Sequence, residues 1–228
     1  NEQLKDIFLK SKDPFTDILG QEQAKQGIKS ALMQNRHIII VGPPGIGKTT
    51  MAKNIAKLLP DVEVIEGCNY NCTKENPVCP SCRQQKKHKT VKINGAKRFI
   101  RIQGSPDLTV EDLLGDIDPI KALKFGPLSL EAFTPGKIFK ANNGVLFFDE
   151  LNRCPEKLQN ALLQVLEEGK ANIGSYDIDF DVSFIFIGTM NPEDTSTEKL
   201  SDVLLDRFDI IYMDYPESIE IEKKIVVM

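Results

Sequence analysis

Long apolar runs are missing from this chain of 228 residues. No stretch approaches the ~18 residues that a membrane-spanning helix needs, so a helical span is excluded. No secretory signal opens the sequence, which begins at Asn1 rather than Met. There is no internal repeat and no low-complexity tract. Acids are absent between Glu75 and Asp107, whereas Arg83–Arg101 holds eight Lys or Arg. The remaining 21 of the 29 basic residues face all 33 acids, so the rest of the chain carries −12 beneath a formal net charge of −4. Cysteine is scarce outside one place. Cys68, Cys72, Cys79 and Cys82 lie within fifteen residues, and of the five only Cys154 is elsewhere.

What remains is an ordinary globular composition, 41% hydrophobic and 27% charged, which excludes disorder and collagen-like repeats. At about 150 residues per domain, the length allows one sizeable core plus an appendage. Short apolar runs alternate with helical patterns, as in a parallel sheet covered by helices. The strand candidates are His37–Val41, Val62–Glu66, Phe99–Gln103, Val145–Phe148, Phe184–Ile187 and Ile210–Met213. Gln21–Gln34 and Pro155–Glu168 have helical periodicity, the second closed by Gly169. Ala171–Val182 alternates around Gly174-Ser175 and reads as a hairpin. Ile221–Met228 reads as a helix, so the chain is expected to be a piece of a longer protein that continues in helix.

Gly42-Pro43-Pro44-Gly45-Ile46-Gly47-Lys48-Thr49, followed by Thr50, fits G-x-x-x-x-G-K-[ST] after a strand and before a helix. Glycines let backbone N–H groups turn inward on phosphates, and the helix start adds its positive dipole end. Lys48 is expected to reach the β- and γ-phosphates, and Thr49 to offer its hydroxyl to Mg²⁺. A purely structural glycine turn is the alternative. Val145-Leu146-Phe147-Phe148-Asp149-Glu150 is a strand ending in two carboxylates. Asp149 would bind Mg²⁺ and Glu150 would orient the attacking water. Ile187-Gly188-Thr189-Met190-Asn191-Pro192 ends another strand, and Asn191 could help position that water or could be plain turn chemistry. Leu204-Leu205-Asp206-Arg207-Phe208-Asp209 offers Arg207 as a surface charge or as a transition-state cation for a neighbouring subunit.

In this order, the four motifs resemble the AAA+ ATPases. Phe15-Thr16-Asp17-Ile18-Leu19-Gly20-Gln21, the run Gly115–Gly144 and the Ala171–Val182 hairpin narrow the resemblance. They are similar to the branch holding the magnesium chelatase ATPase subunit, MoxR-type ATPases and minichromosome maintenance helicases. The resemblance implies a P-loop α/β core with a five-stranded parallel sheet of order 5-1-4-3-2. It implies a helix-2 insert over 115–144 and a hairpin before the fourth core strand. It places Ile18 and Leu19 beside the adenine, ATP between neighbours of a ring of six, and Arg207 in trans. Residues 1–215 are then the core, including a Cys₄ and basic insertion over 68–103, and 216–228 begin a helical lid. Asp194-Thr195-Ser196-Thr197 matches the adhesion pattern D-x-S-x-[ST] but follows a turn, and reads as loop.

Cys68-x₃-Cys72-x₆-Cys79-x₂-Cys82 has the spacing of thiolates on one metal. In a cytoplasmic chain disulfides are disfavoured. A closed Cys₄ zinc site with a structural role is expected; an Fe–S cluster or a redox pair are the alternatives. Cys154 is expected to pack as a small apolar residue. Neither His37 nor His88 has metal-ligand spacing. The basic stretch reads as a solvated hairpin around Asn94-Gly95, with a nucleic-acid contact as the alternative. Only Phe99 is aromatic there, so base stacking has little support. The function expected is an Mg²⁺-dependent ATP-driven motor that remodels a protein partner or co-subunit. A nucleic-acid translocase is the alternative, and a non-hydrolysing nucleotide switch is disfavoured because no motif is broken.

Overall fold

The computed structural model describes residues 7–9, 11, 13–85, 87–127, 129–168, 170–173, 176–179, 182–192, 206–216 and 219–227. Five strands form the main sheet: β1 (His37–Val41), β4 (Phe99–Gln103), β7 (Val145–Asp149), β10 (Ile185–Met190) and β11 (Phe208–Tyr212). Their order is β11-β1-β10-β7-β4, and every pair is parallel. Counted in chain order, that is the expected 5-1-4-3-2.

These runs are apolar at nearly every position because both faces of the sheet are covered. Side chains alternate between the faces. Ile38, Ile40, Phe147 and Ile187 pack with Ile28 and Ala31 of helix Glu22–Met33 and with Met51, Ile55 and Ala56 of helix Lys48–Leu58. Ile39, Leu146, Phe148 and Phe186 face the other way, onto Leu158, Leu162 and Val165 of helix Glu156–Glu168. The strands therefore end together, at Val41, Gln103, Asp149, Met190 and Tyr212, on one carboxyl edge.

Two expectations are corrected. Val62–Glu66 does form a strand, β2 (Val62–Ile65), but it lies outside the main sheet. It pairs antiparallel with β3 (Thr90–Ile93), with Glu63 opposite Lys92. No hairpin forms at Asn94-Gly95: Gly95–Arg98 is a 3₁₀ turn, and the Asn94 side chain accepts from the Lys97 N–H. A Cβ on Gly95 would lie 2.0 Å from the Ala56 carbonyl oxygen, so only glycine lets this turn close on the helix Lys48–Leu58.

The insert is present as a two-stranded ribbon of β5 (Gly115–Ile117) and β6 (Phe133–Pro135) around helix Pro119–Phe125. Asp118 caps that helix through the N–H groups of Ile120 and Lys121. The two strands of the expected hairpin pair antiparallel, β8 (Lys170–Ile173) against β9 (Tyr176–Asp179), and its Gly174-Ser175 turn lies outside the described residues. The C-terminal helix runs over Ile219–Val227. Gly169 and the 194–197 motif lie outside the described residues. Among the described residues no helix is long and apolar enough to cross a membrane.

Candidate functional site

The phosphate loop joins the end of β1 to the helix Lys48–Leu58. Gly45 and Gly47 have φ of +78° and +96°, values that side chains rarely adopt. Glycines with such backbone let successive N–H groups turn toward one anion. Lys48 Nζ donates to the carbonyls of Gly42 and Pro43 at 2.6 and 2.8 Å. Burial lowers the Lys48 pKa, and the nearby carboxylates of Asp149 and Glu150 oppose that. Lys48, Thr49, Asp149, Glu150 and Asn191 line one cavity of about 320 Å³. Three separate sequence motifs thus supply three strand ends and one helix start to a single site.

Of the remaining predicted residues, Pro44, Gly45 and Gly47 line the same cavity. Pro43 is buried and Thr50 is exposed on the following helix. Leu19, Tyr212, Tyr215 and Ile221 line a second cavity of about 350 Å³. Ile18 is placed differently: it is buried in the core with Phe15 and Ile28. Arg207 precedes β11, on the amino edge of the sheet and away from its own phosphate loop. Its exposed guanidinium pairs with Glu167 of the same chain.

The carboxylates at the end of β7 are held by residues to which the motifs assign no role. Thr189 Oγ1 donates to Asp149 Oδ1 at 2.6 Å and accepts from the Glu150 N–H at 2.9 Å. Arg101 binds the other Asp149 oxygen at 2.6 Å. Gln103 donates to Glu150 Oε2 at 2.6 Å, and Arg153 pairs with the same oxygen at 3.2 Å. One signal was available: Arg101 and Gln103 break the apolar run of a strand expected to lie beside the Asp149 strand.

The four insertion cysteines also come together. Their Sγ atoms all lie within 4.8 Å of one another, with Cys72, Cys79 and Cys82 buried. Tetrahedral zinc, at ~2.3 Å per Zn–S bond, needs sulfur separations of roughly 3.8 Å. Cys68 and Cys79 are 3.9 Å apart. Backbone N–H groups of Val78 and Cys79 donate to Cys72 Sγ at 3.2 and 3.4 Å, and that of Tyr70 to Cys68 Sγ at 3.4 Å. N–H donors favour thiolate. Hydrogen bonds from Cys72 and Cys79 lower the Cys68 pKa, whereas burial pushes Cys82 up to about 12. Four crowded thiols cannot all ionise without a cation, so the donor set fits a thiophilic metal. Cys154 packs in the same core but is not part of this thiol group.

The insertion is latched to the body. The Asn71 side chain donates to the carbonyls of Lys140 and Asn142, both at 3.2 Å. The amides of Asn142 and Asn143 donate back to the Asn71 carbonyl at 3.3 and 3.1 Å. Three arginines of the basic stretch are engaged within the chain. Arg98 is 2% exposed and donates to the carbonyls of Asn94, Pro60 and Asn143. Arg101 holds Asp149, Arg83 Nε donates to Pro77, and Lys92 lies opposite Glu63.

Comparison with known proteins agrees with this geometry. Residues 79–210 match the ATPase family associated with various cellular activities (AAA), and residues 14–96 match magnesium chelatase, subunit ChlI. A magnesium-chelatase subunit ChlI homolog from Methanocaldococcus jannaschii is 31% identical over 93% of this chain and 59% of its own. Subunit ChlI of Nephroselmis olivacea is 32% identical over 91% of this chain and 57% of its own. The chain thus spans a little over half the length of these relatives. A solved assembly of subunits BchI and BchD of magnesium chelatase shares the fold, with a TM-score of 0.71 at 24% identity over 94% of this chain and 65% of that one. The match over residues 79–210, which hold the two carboxylates and the asparagine, together with a phosphate loop on the same sheet edge, places this chain in the AAA family of ATPases, with similarity to the magnesium chelatase ATPase subunit.

Proposed function

We propose that the chain is the ATP-binding and ATP-hydrolysing core of a ring motor that acts with a protein co-subunit. The observation that carries it is the convergence of Lys48, Thr49, Asp149, Glu150 and Asn191 on one cavity. The loop amides and Lys48 hold the β- and γ-phosphates. The base lies in the cavity beside Leu19, and Tyr212 and Tyr215 stand at its rim. Thr49 and Asp149 offer the hard oxygen donors that suit Mg²⁺. When bound, Mg²⁺ would neutralise charge developing on the phosphate oxygens. Glu150 orients and polarises the water that attacks the γ-phosphorus, and Asn191 fixes that water from the neighbouring strand.

Arg207 stands on the amino edge and is proposed to serve the site of the next subunit in a six-membered ring. Helix Pro119–Phe125 supports contact with a protein partner: Ile120 and Leu123 are 80% and 91% exposed on it. The solved BchI–BchD assembly makes a co-subunit the natural partner class. The internal engagement of Arg83, Arg98 and Arg101 does not favour nucleic acid. Cys68, Cys72, Cys79 and Cys82 are proposed to hold one structural zinc in a reducing, cytoplasmic setting.

Glu150→Gln in the full-length protein tests the ATPase reading. That variant should bind ATP with near-normal affinity and lose at least about 100-fold in turnover. Turnover within a few-fold of wild type would remove Glu150 from the chemistry.

A further inference from the structure

A threonine hydroxyl at a fully buried position of a central strand needs a reason. The other side chains of β10 are apolar, and Thr189 is 0% exposed. Burying a hydroxyl is unfavourable unless it is hydrogen-bonded. Thr189 uses its single O–H on Asp149 Oδ1 at 2.6 Å and accepts the Glu150 N–H at 2.9 Å.

That N–H needs a partner. The β7–β10 register ends at Phe148 opposite Gly188, so Glu150 lies beyond the last strand pair. Its backbone also turns sharply, with φ 55° and ψ 52°, in a left-handed conformation that glutamate seldom takes. A side chain thrown into this region must be held by its surroundings. The Gly104 N–H holds the Asp149 carbonyl at 2.7 Å, and Thr189 holds the following N–H. One hydroxyl therefore sets both the direction of the Asp149 carboxylate and the turn that aims Glu150.

We infer that Thr189 is a positioning residue for ATP hydrolysis, coupling the metal-facing carboxylate of Asp149 to the turn that aims Glu150. This rests on the ATPase reading above. Thr189 touches no reacting atom. It acts through the two carboxylates, so its loss should affect the chemical step and metal affinity more than nucleotide binding.

The test uses the full-length protein with three substitutions. Thr189→Val keeps the shape and removes the hydroxyl; Thr189→Ser keeps the hydroxyl. Thr189→Val should lower kcat roughly 10- to 100-fold while the Kd for metal-free ADP stays within about threefold. Titration of the ADP-loaded protein with Mn²⁺ should show weaker metal binding, by roughly 5- to 10-fold. Thr189→Ser should restore most of both. A valine variant with wild-type kcat and Mn²⁺ affinity overturns the inference, as does a serine variant as impaired as valine. If the valine chain does not fold, Thr189→Ala carries the same comparison. Failure of both to fold would make the hydroxyl a folding group and overturn the positioning role. A wild-type protein without ATP turnover would instead bring down the ATPase reading, a separate outcome.

Discussion

His37 opens β1 and looked unremarkable in sequence, yet its surroundings give it a measurable signature. Its ring lies among Phe184, Phe186 and Phe208, with centroids 6.5, 6.2 and 6.2 Å away. Its Nδ1 accepts the Phe186 N–H at 3.3 Å, which only a neutral imidazole can do. Burial lowers its pKa from 6.5 to about 4. The unfolded chain therefore takes up this proton first as pH falls. Stability from neutral His37 is whole above pH 6.5 and is lost as pH falls to about 4, where the loss reaches roughly 3 kcal/mol. Asp13, Asp17 and Asp112 have pKa values below the usual 3.8, so they titrate beneath this window. His37→Asn, which can keep an acceptor near Nδ1, should flatten urea stability between pH 6.5 and 4. An unchanged slope in that variant would clear His37 of the effect.

At the scale of elements, strands were easier to find than to assign. Val62–Glu66 and Phe99–Gln103 are equally short and apolar, and the sequence offered no way to tell which enters the main sheet. The difference lies in long-range pairing: Lys92 answers Glu63 across a side ribbon, while Phe99–Gln103 runs beside the strand of Asp149. For the same reason the phosphate loop and its carboxylates were legible as linear motifs, whereas Thr189, Arg101 and Gln103 were not. Their role depends on register between strands tens of residues apart. The cysteines were legible from spacing alone. Their latch was not, because Asn71, Asn142 and Asn143 meet only in the fold. Asn71 also sits at φ 47°, which asparagine tolerates better than alanine. Asn71→Ala should keep about one zinc per chain, by elemental analysis, while losing roughly 1–3 kcal/mol of stability. Cys82→Ser should lose the zinc as well. Iron with a visible charge-transfer band would replace zinc by an Fe–S cluster, and an Asn71→Ala chain as stable as wild type would dismiss the latch.

At the scale of the whole molecule, the sheet's polarity divides the work. All five strands point their carboxyl ends to the edge that carries the phosphate loop, so a residue before β11 cannot serve its own site without crossing the sheet. Arg207 is such a residue, and its pairing with Glu167 leaves it on the amino edge. A cation on that edge can complete a phosphate site only across a subunit contact of the head-to-tail kind that closes rings. Mixing two inactive chains separates this from a surface role. Lys48→Ala removes nucleotide binding but retains the arginine. Arg207→Ala retains the nucleotide site but lacks the cation, and alone should lose about 10³-fold in turnover. In an equal random mixture, a working contact needs an Arg207→Ala chain as nucleotide holder and a Lys48→Ala chain as its neighbour. That pairing occurs at about a quarter of contacts, so ATPase activity should return towards a quarter of wild type. Activity that stays at the level of the separate variants would show that Arg207 acts within its own chain or not at all. Arg207→Ala alone at wild-type rate would return it to the surface.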